Sequence, residues 1–224
     1  TGISGVITSS NSLIGSTAGD SIGFSGITVL TNGNYVVRSE LWNNPSPAIA
    51  SVGAVTWGNG TGGTVGEVSS SNSLIGSTLN DQVGNSGITV LTNGNYVVPS
   101  PNWDNPSPAI TDVGAVTWGN GTTGISGVVS SSNSLIGSST SDAVGNNGVV
   151  ALTNGNYVVR SQSWDNPSPA IAGAGAVTWG NGTTGISGVI TSSNSLIGST
   201  ANDSVGSTAV VALTNGNYVV ISSA

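Results

Sequence analysis

The chain has 224 residues, and only 5% of them are charged, against the roughly 25% usual for globular proteins. It contains no Cys, His, Met or Lys; Arg38 and Arg160 are its only cations, nine carboxylates its anions, and its net charge is -7. That balance argues against nucleic acid or an anionic membrane surface as partner, no apolar run approaches the ~18 residues of a membrane helix, and a disulfide scaffold is ruled out.

Reactive chemistry is thin as well. Without His, Cys or Lys there is no conventional base for a serine nucleophile and no soft metal site. The chain therefore reads as a non-enzyme with no cofactor, its surface covered mainly by Ser, Thr, Asn and Gly. It opens at Thr1 with no secretory leader in view, as a processed product or an excerpt of a longer chain would.

The dominant feature is repetition. Leu30-Thr31-Asn32-Gly33-Asn34-Tyr35-Val36-Val37 returns at Leu91 to Val98, Leu152 to Val159 and Leu213 to Val220, always 61 residues on. One repeat domain, 1–224, thus divides into copies 1–61, 62–122, 123–183 and 184–224, the last shorter than the others. Taken in order, each copy predicts four strands. The first centres on Asn11 to Ser16, with Gly5-Val6-Ile7 ahead of it as a hairpin partner. Turn-formers from Ala18 to Gly23 lead to the second strand, Gly26 to Leu30. The Asn-Gly pairs (Asn32 and Gly33, Asn93 and Gly94, Asn154 and Gly155, Asn215 and Gly216) then predict type I′ turns, which tolerate positive φ and match the twist of paired strands. The third strand is Tyr35 to Ser39. Asn43-Asn44-Pro45-Ser46-Pro47 is a loop, since two prolines two apart do not fit a central strand. The fourth strand is Gly53 to Trp57, closed by Gly58-Asn59-Gly60-Thr61. No window carries a helical apolar period.

Tyr35-Val36-Val37 and Leu13-Ile14 place apolar side chains on both faces of a strand, which fits sheets covered by other sheets rather than by water. The predicted fold is all-β: a β-propeller-like array of four-stranded antiparallel blades, with a β-solenoid or a strand-complemented fibre subunit as the alternative.

The run Ser12-Leu13-Ile14-Gly15-Ser16, Asp20, Gly23, Ile27-Thr28-Val29 resembles the FG-GAP repeats of integrin-type β-propellers. Asn93 to Val98, Asp104-Asn105 and Gly114-Ala115-Val116-Thr117-Trp118 resemble that family's glycine-alanine half. As whole repeats the copies are similar to hemagglutinin-like surface proteins of bacteria, which implies secretion and adhesion. The chain departs from the FG-GAP pattern at Thr31-Asn32-Gly33-Asn34, where an aspartate-rich calcium loop would lie. No carboxylate stands there, and no calcium site is expected.

Two periodic residue sets bear on binding. Asp20, Asp81, Asp142 and Asp203 read first as turn residues that bond nearby backbone N–H groups, ahead of any catalytic role. Trp57, Trp118 and Trp179 end strands and read as packing residues. Trp42, Trp103 and Trp164 precede the proline loop. With Asp104 and Asp165 they are candidate sugar-gripping positions as well as packing ones. Asn59-Gly60-Thr61 and its equivalents read as turns before glycosylation sites. Arg38 and Arg160 share a repeat position that Pro99 and Ile221 fill elsewhere, so no charge is required there.

The functional expectation is an extracellular or cell-surface repeat protein that self-associates, as a homo-oligomer or fibre, into an adhesive or structural assembly by head-to-tail complementation. A lectin-like module that binds glycans is the alternative.

Overall fold

The computed structural model describes residues 4–222. Within them every regular element is a strand and none is a helix. The third predicted strand stands as expected at Tyr35–Ser39, and the fourth lies one residue further on, at Ala54–Gly58.

The sheets do not follow the sequence repeat. The first complete sheet runs in the order Ile27–Val29, Tyr35–Ser39, Ala54–Gly58, Ser73–Ile75, Gly127–Val128. Its members come from three consecutive copies of the sequence. The second, from Thr89–Val90 to Gly188–Val189, repeats the order. Four strands of each are antiparallel, and the fifth joins in parallel, with Gly127 opposite Leu74 and Val128 opposite Ile75.

Two expectations are corrected here. The complete sheets have five strands rather than four. The glycine-led segment ahead of each first strand does not fold back on it, because Gly66–Glu67 pairs with Leu13–Ile14 of the preceding copy. A short Ser-rich turn, closed by Asn72 accepting from the Ser69 N–H (2.9 Å), carries the chain from one sheet-bound segment to the next.

The hairpin turn also differs from type I′. Gly33 N–H donates to the Leu30 carbonyl (3.0 Å), Leu30 N–H donates to the Asn34 carbonyl (2.8 Å), and only Gly33 has positive φ, 87°. This is a three-residue loop, a type I turn followed by a glycine in the left-handed region. Asn32 keeps negative φ, and its side chain makes a contact described below. The proline loop folds as a small hairpin, Asn44–Pro45 against Ala48–Ile49, in each of three copies.

Hydrophobic cores form between sheets. Leu30, Val36, Val55 and Leu74 of one sheet meet Tyr96, Val98, Ala115 and Ile136 of the next. One copy further, Leu91, Val97, Val116 and Leu135 meet Tyr157, Val159 and Ala176. The second complete sheet is therefore buried on both faces, as the two-faced apolar strands require, whereas the first leaves Ile27 and Val29 exposed. Neighbouring sheets lie face to face and are not closed into a barrel.

One cross-strand pair fixes this packing. Tyr96 stands opposite Gly119, and a Cβ on Gly119 would overlap the tyrosine ring. Gly119→Ala should therefore cost about 1–3 kcal/mol by overpacking. Gly62→Ala, where the added carbon meets nothing within 4 Å, should be near neutral. Urea unfolding of the two variants checks the contrast.

Candidate functional site

The sequence singles out three groups of residues, and the structure assigns them different work. The repeated aspartates close turns. Asp81 accepts from the Ser77 and Thr78 N–H groups (2.7 and 2.8 Å), from the Thr78 hydroxyl, and from the Asp104 N–H (3.0 Å). It thereby ties the loop after Ser73–Ile75 to the loop after Tyr96–Ser100 in the neighbouring sheet. Asp142 bonds Ser138, Ser139 and Asp165 in the same way. Gly76 lies directly against Asp81, where a Cβ would collide with the carboxylate.

Burial raises the carboxyls of Asp81 and Asp142 above the ordinary aspartate range, against the pull of these bonds. At Asp20 burial also pushes upward, but its bonds to Thr17, Asn43 and Ser16 together outweigh it and the net shift is downward. Asp203, bonded by Thr200 and Ser199, is lowered. Among the described residues no three acidic groups gather closely enough to hold a metal ion.

The candidate sugar positions are arranged differently from the expectation. Trp42, Trp103 and Trp164 are each 0% exposed and sit in the inter-sheet cores. Their indole N–H groups are buried without an acceptor among the described residues. A ring that stacks on a sugar must present a face to solvent, and these present none. Their carboxylate neighbours are engaged locally: Asp104 accepts from the Asp112 N–H (2.7 Å) and Asp165 from the Gly173 N–H (2.6 Å). The reading of Trp42, Trp103, Trp164, Asp104 and Asp165 as a sugar grip thus gives way to packing and loop closure. The more open indoles belong to the other set. Trp57 and Trp118 are half-buried beside equivalent grooves of about 260 and 210 Å³, and Trp179 is exposed.

The Asn-Gly turns form the third group, and here the structure brings together residues that the sequence reading left apart. The Gly121 carbonyl accepts from Asn32 Nδ2 (2.8 Å), Asn34 Nδ2 (2.8 Å) and Trp57 Nε1 (3.0 Å), all one copy earlier. The Gly182 carbonyl does the same for Asn93, Asn95 and Trp118 at 2.8, 2.7 and 3.0 Å. The glycine N–H groups continue the chain, since Gly121 donates to Asn95 Oδ1 (2.9 Å) and Gly182 to Asn156 Oδ1 (2.9 Å). The result is a hydrogen-bonded ladder, Asn34 to Gly121 to Asn95 to Gly182 to Asn156, running from copy to copy. No side chain fits at Gly121, because its Cβ would overlap the Gly94 carbonyl. Asn34, Asn95 and Asn156, and the second glycine of each Gly-Asn-Gly-Thr, were not among the expected site residues. Their signal was the unchanging 61-residue recurrence of both words.

The geometry can therefore bind copy to copy. Two stability changes follow. Asp81→Ala leaves several part-buried donors without their acceptor and should cost about 1–3 kcal/mol. Asn95→Asp keeps the acceptor for Gly121 but loses the donor to Gly182, and should cost about 1–2 kcal/mol. Denaturant titrations at neutral pH check both.

A family described as a repeat of unknown function (DUF5650) matches residues 1–24, 29–85, 90–146 and 151–207. No curated protein matches the chain. The segments matched from 29, 90 and 151 recur at the 61-residue spacing, and 29–85 runs from the end of Ile27–Val29 past Ser73–Ile75. With these matches covering most of its length, the chain belongs to this repeat family.

Proposed function

We propose that this member of the repeat family is a non-enzymatic extracellular protein whose blade-like units build an adhesive or structural surface assembly through face-to-face contacts between units. The observation that carries the reading is the packing of copy on copy: Leu30, Val36, Val55 and Leu74 meet Tyr96, Val98, Ala115 and Ile136, and Leu91, Val97, Val116 and Leu135 meet Tyr157, Val159 and Ala176 one copy further on.

Each copy carries one set of residues that meets a following copy and another that meets a preceding one, so the two faces of a unit are complementary. A contact between unlike faces is heterologous, and it propagates into a ring or a filament. A propeller-like arrangement of the units, kin to FG-GAP blades and to hemagglutinin-like surface repeats, is part of this proposal. It is supported by the face-to-face sheets and by the resemblance at Ser12 to Ser16 and Gly114 to Trp118. The uncharged Ser, Thr and Asn surface suits an extracellular setting.

Analytical ultracentrifugation across a concentration series, with negative-stain microscopy, tests the assembly. The expected result is concentration-dependent head-to-tail association that weakens when Val219→Asp and Leu196→Asp place charge at exposed apolar positions. A particle that stays monomeric throughout would overturn it.

A further inference from the structure

The grooves beside Trp57 and Trp118 are one site made twice. Trp57, Ser71, Asn72, Thr123 and Gly124 line the first. The residues 61 positions on, Trp118, Ser132, Asn133, Thr184 and Gly185, line the second. Each groove therefore draws on three consecutive copies, as the sheets do. Ile125 belongs to both linings, so the two grooves adjoin along the array.

The indole in each groove is fixed and partly bare. Trp57 Nε1 donates to the Gly121 carbonyl (3.0 Å), part of the ring packs against the inter-sheet core, and the rest lines the groove. Trp118 is held in the same way by Gly182 (3.0 Å). A glycine with positive φ, 76° in both cases, approaches each ring. A Cβ on Gly124 would come within 2.6 Å of Trp57 Cβ, and one on Gly185 within 2.8 Å of Trp118 Cβ. No side chain at that position covers the indole.

Hydroxyls stand around the ring. Ser71 and Ser69 share one hydrogen bond between their Oγ atoms (2.8 Å), and Ser132 and Ser130 share another (2.8 Å). A hydroxyl has one donor and two acceptor sites, so each pair keeps acceptor sites for a third partner. The Thr123 and Ser126 hydroxyls are exposed and bond nothing among the described residues. Asn72 is committed to the wall itself, accepting from the Ser69 N–H (2.9 Å) and donating to the Glu67 carbonyl (2.8 Å). Among the described residues no charged side chain lines either groove.

We propose that the two grooves bind neutral sugar residues and together hold one uncharged glycan chain along the array. A sugar ring matches this lining, because its C–H face lies on an indole while its hydroxyls exchange hydrogen bonds with Ser and Thr. Uncharged walls suit an uncharged ligand, since a carboxylate or sulfate placed there would lose water without gaining a partner. Volumes of about 260 and 210 Å³ fall below the ~300–1,000 Å³ of pockets that enclose drug-sized ligands, and fit one ring each. Stacked sheets stand about 10 Å apart, so a single extended chain reaches both grooves. The inference goes beyond the assembly reading: it gives the surface a ligand and needs no contact between chains.

Affinity electrophoresis of the whole chain tests it, in native gels cast with dextran, mannan or galactan, and with polygalacturonate as the acidic control. The expected result is retardation by at least one neutral polymer and none by the acidic one. Trp118→Ala should weaken binding roughly tenfold or more, because one of two linked grooves is lost. Ser71→Ala combined with Ser132→Ala should weaken it about threefold or more. These serines are exposed and lie outside the core, so a folding defect at Trp118 cannot imitate their effect. No retardation by any of the three neutral polymers, equal retardation by polygalacturonate, or retardation indifferent to both variants overturns the site. Sedimentation reads self-association separately. A chain that assembles yet binds no glycan ends this inference and leaves the assembly standing, and a monomer that binds does the reverse.

Discussion

The architecture turns on one carbonyl per copy. The Gly121 oxygen receives two asparagine amides and an indole N–H from the copy before it, and its own N–H is held by Asn95 of its own copy. A single peptide unit thereby fixes the distance and angle between neighbouring hairpins. Only glycine can stand there, because the Gly94 carbonyl occupies the space of a side chain. Once this contact is set, Leu30 and Val36 are delivered against Tyr96 and Val98, and the inter-sheet core follows. Polar register and apolar packing thus agree at the same interface, which is the condition for a single well-defined arrangement.

Strand sharing makes the copies interdependent. Each complete sheet draws strands from three consecutive copies, so no 61-residue segment can satisfy its own backbone. In simple repeat arrays stability is a sum of unit and nearest-neighbour terms. Here the longest pairings lie within one copy, and shorter ones to the next two copies complete the sheet. The aspartates reinforce this. Asp81 gathers donors from its own turn and one from the loop of the next sheet, and so couples two sheets through one carboxylate.

Much of this was legible in the sequence, and the gaps have specific causes. Tyr35 to Ser39 and Gly53 to Trp57 showed themselves as strands through β-branched and aromatic runs between glycines. The two-faced apolar pattern announced stacked sheets. Strand partnership was not legible, because Gly66-Glu67 is too short and too small to declare which neighbour it joins, and its parallel pairing with Leu13 is a long-range event. The packing reading of the tryptophans holds for Trp42, Trp103 and Trp164, which are buried, and for Trp57 and Trp118, which pack against the inter-sheet cores, while Trp179 is exposed. Whether an indole is covered depends on the copy beside it, which local sequence does not describe. The Asn-Gly turn was read as type I′ from its composition. The amide of Asn32 is instead committed to Gly121, 89 residues away.

An interface made by repetition is specified once and used at every junction. The surface that covers Trp57 and Val36 is that of the next copy, and the same arrangement recurs at Trp118 and Val97. The tyrosine standing over glycine sets which residue lies opposite it, because a Cβ on Gly58, Gly119 or Gly180 would overlap the ring. Tyr96 and Tyr157 are at the same time members of the inter-sheet cores. Register within a sheet and packing between sheets then rest on the same pair of residues.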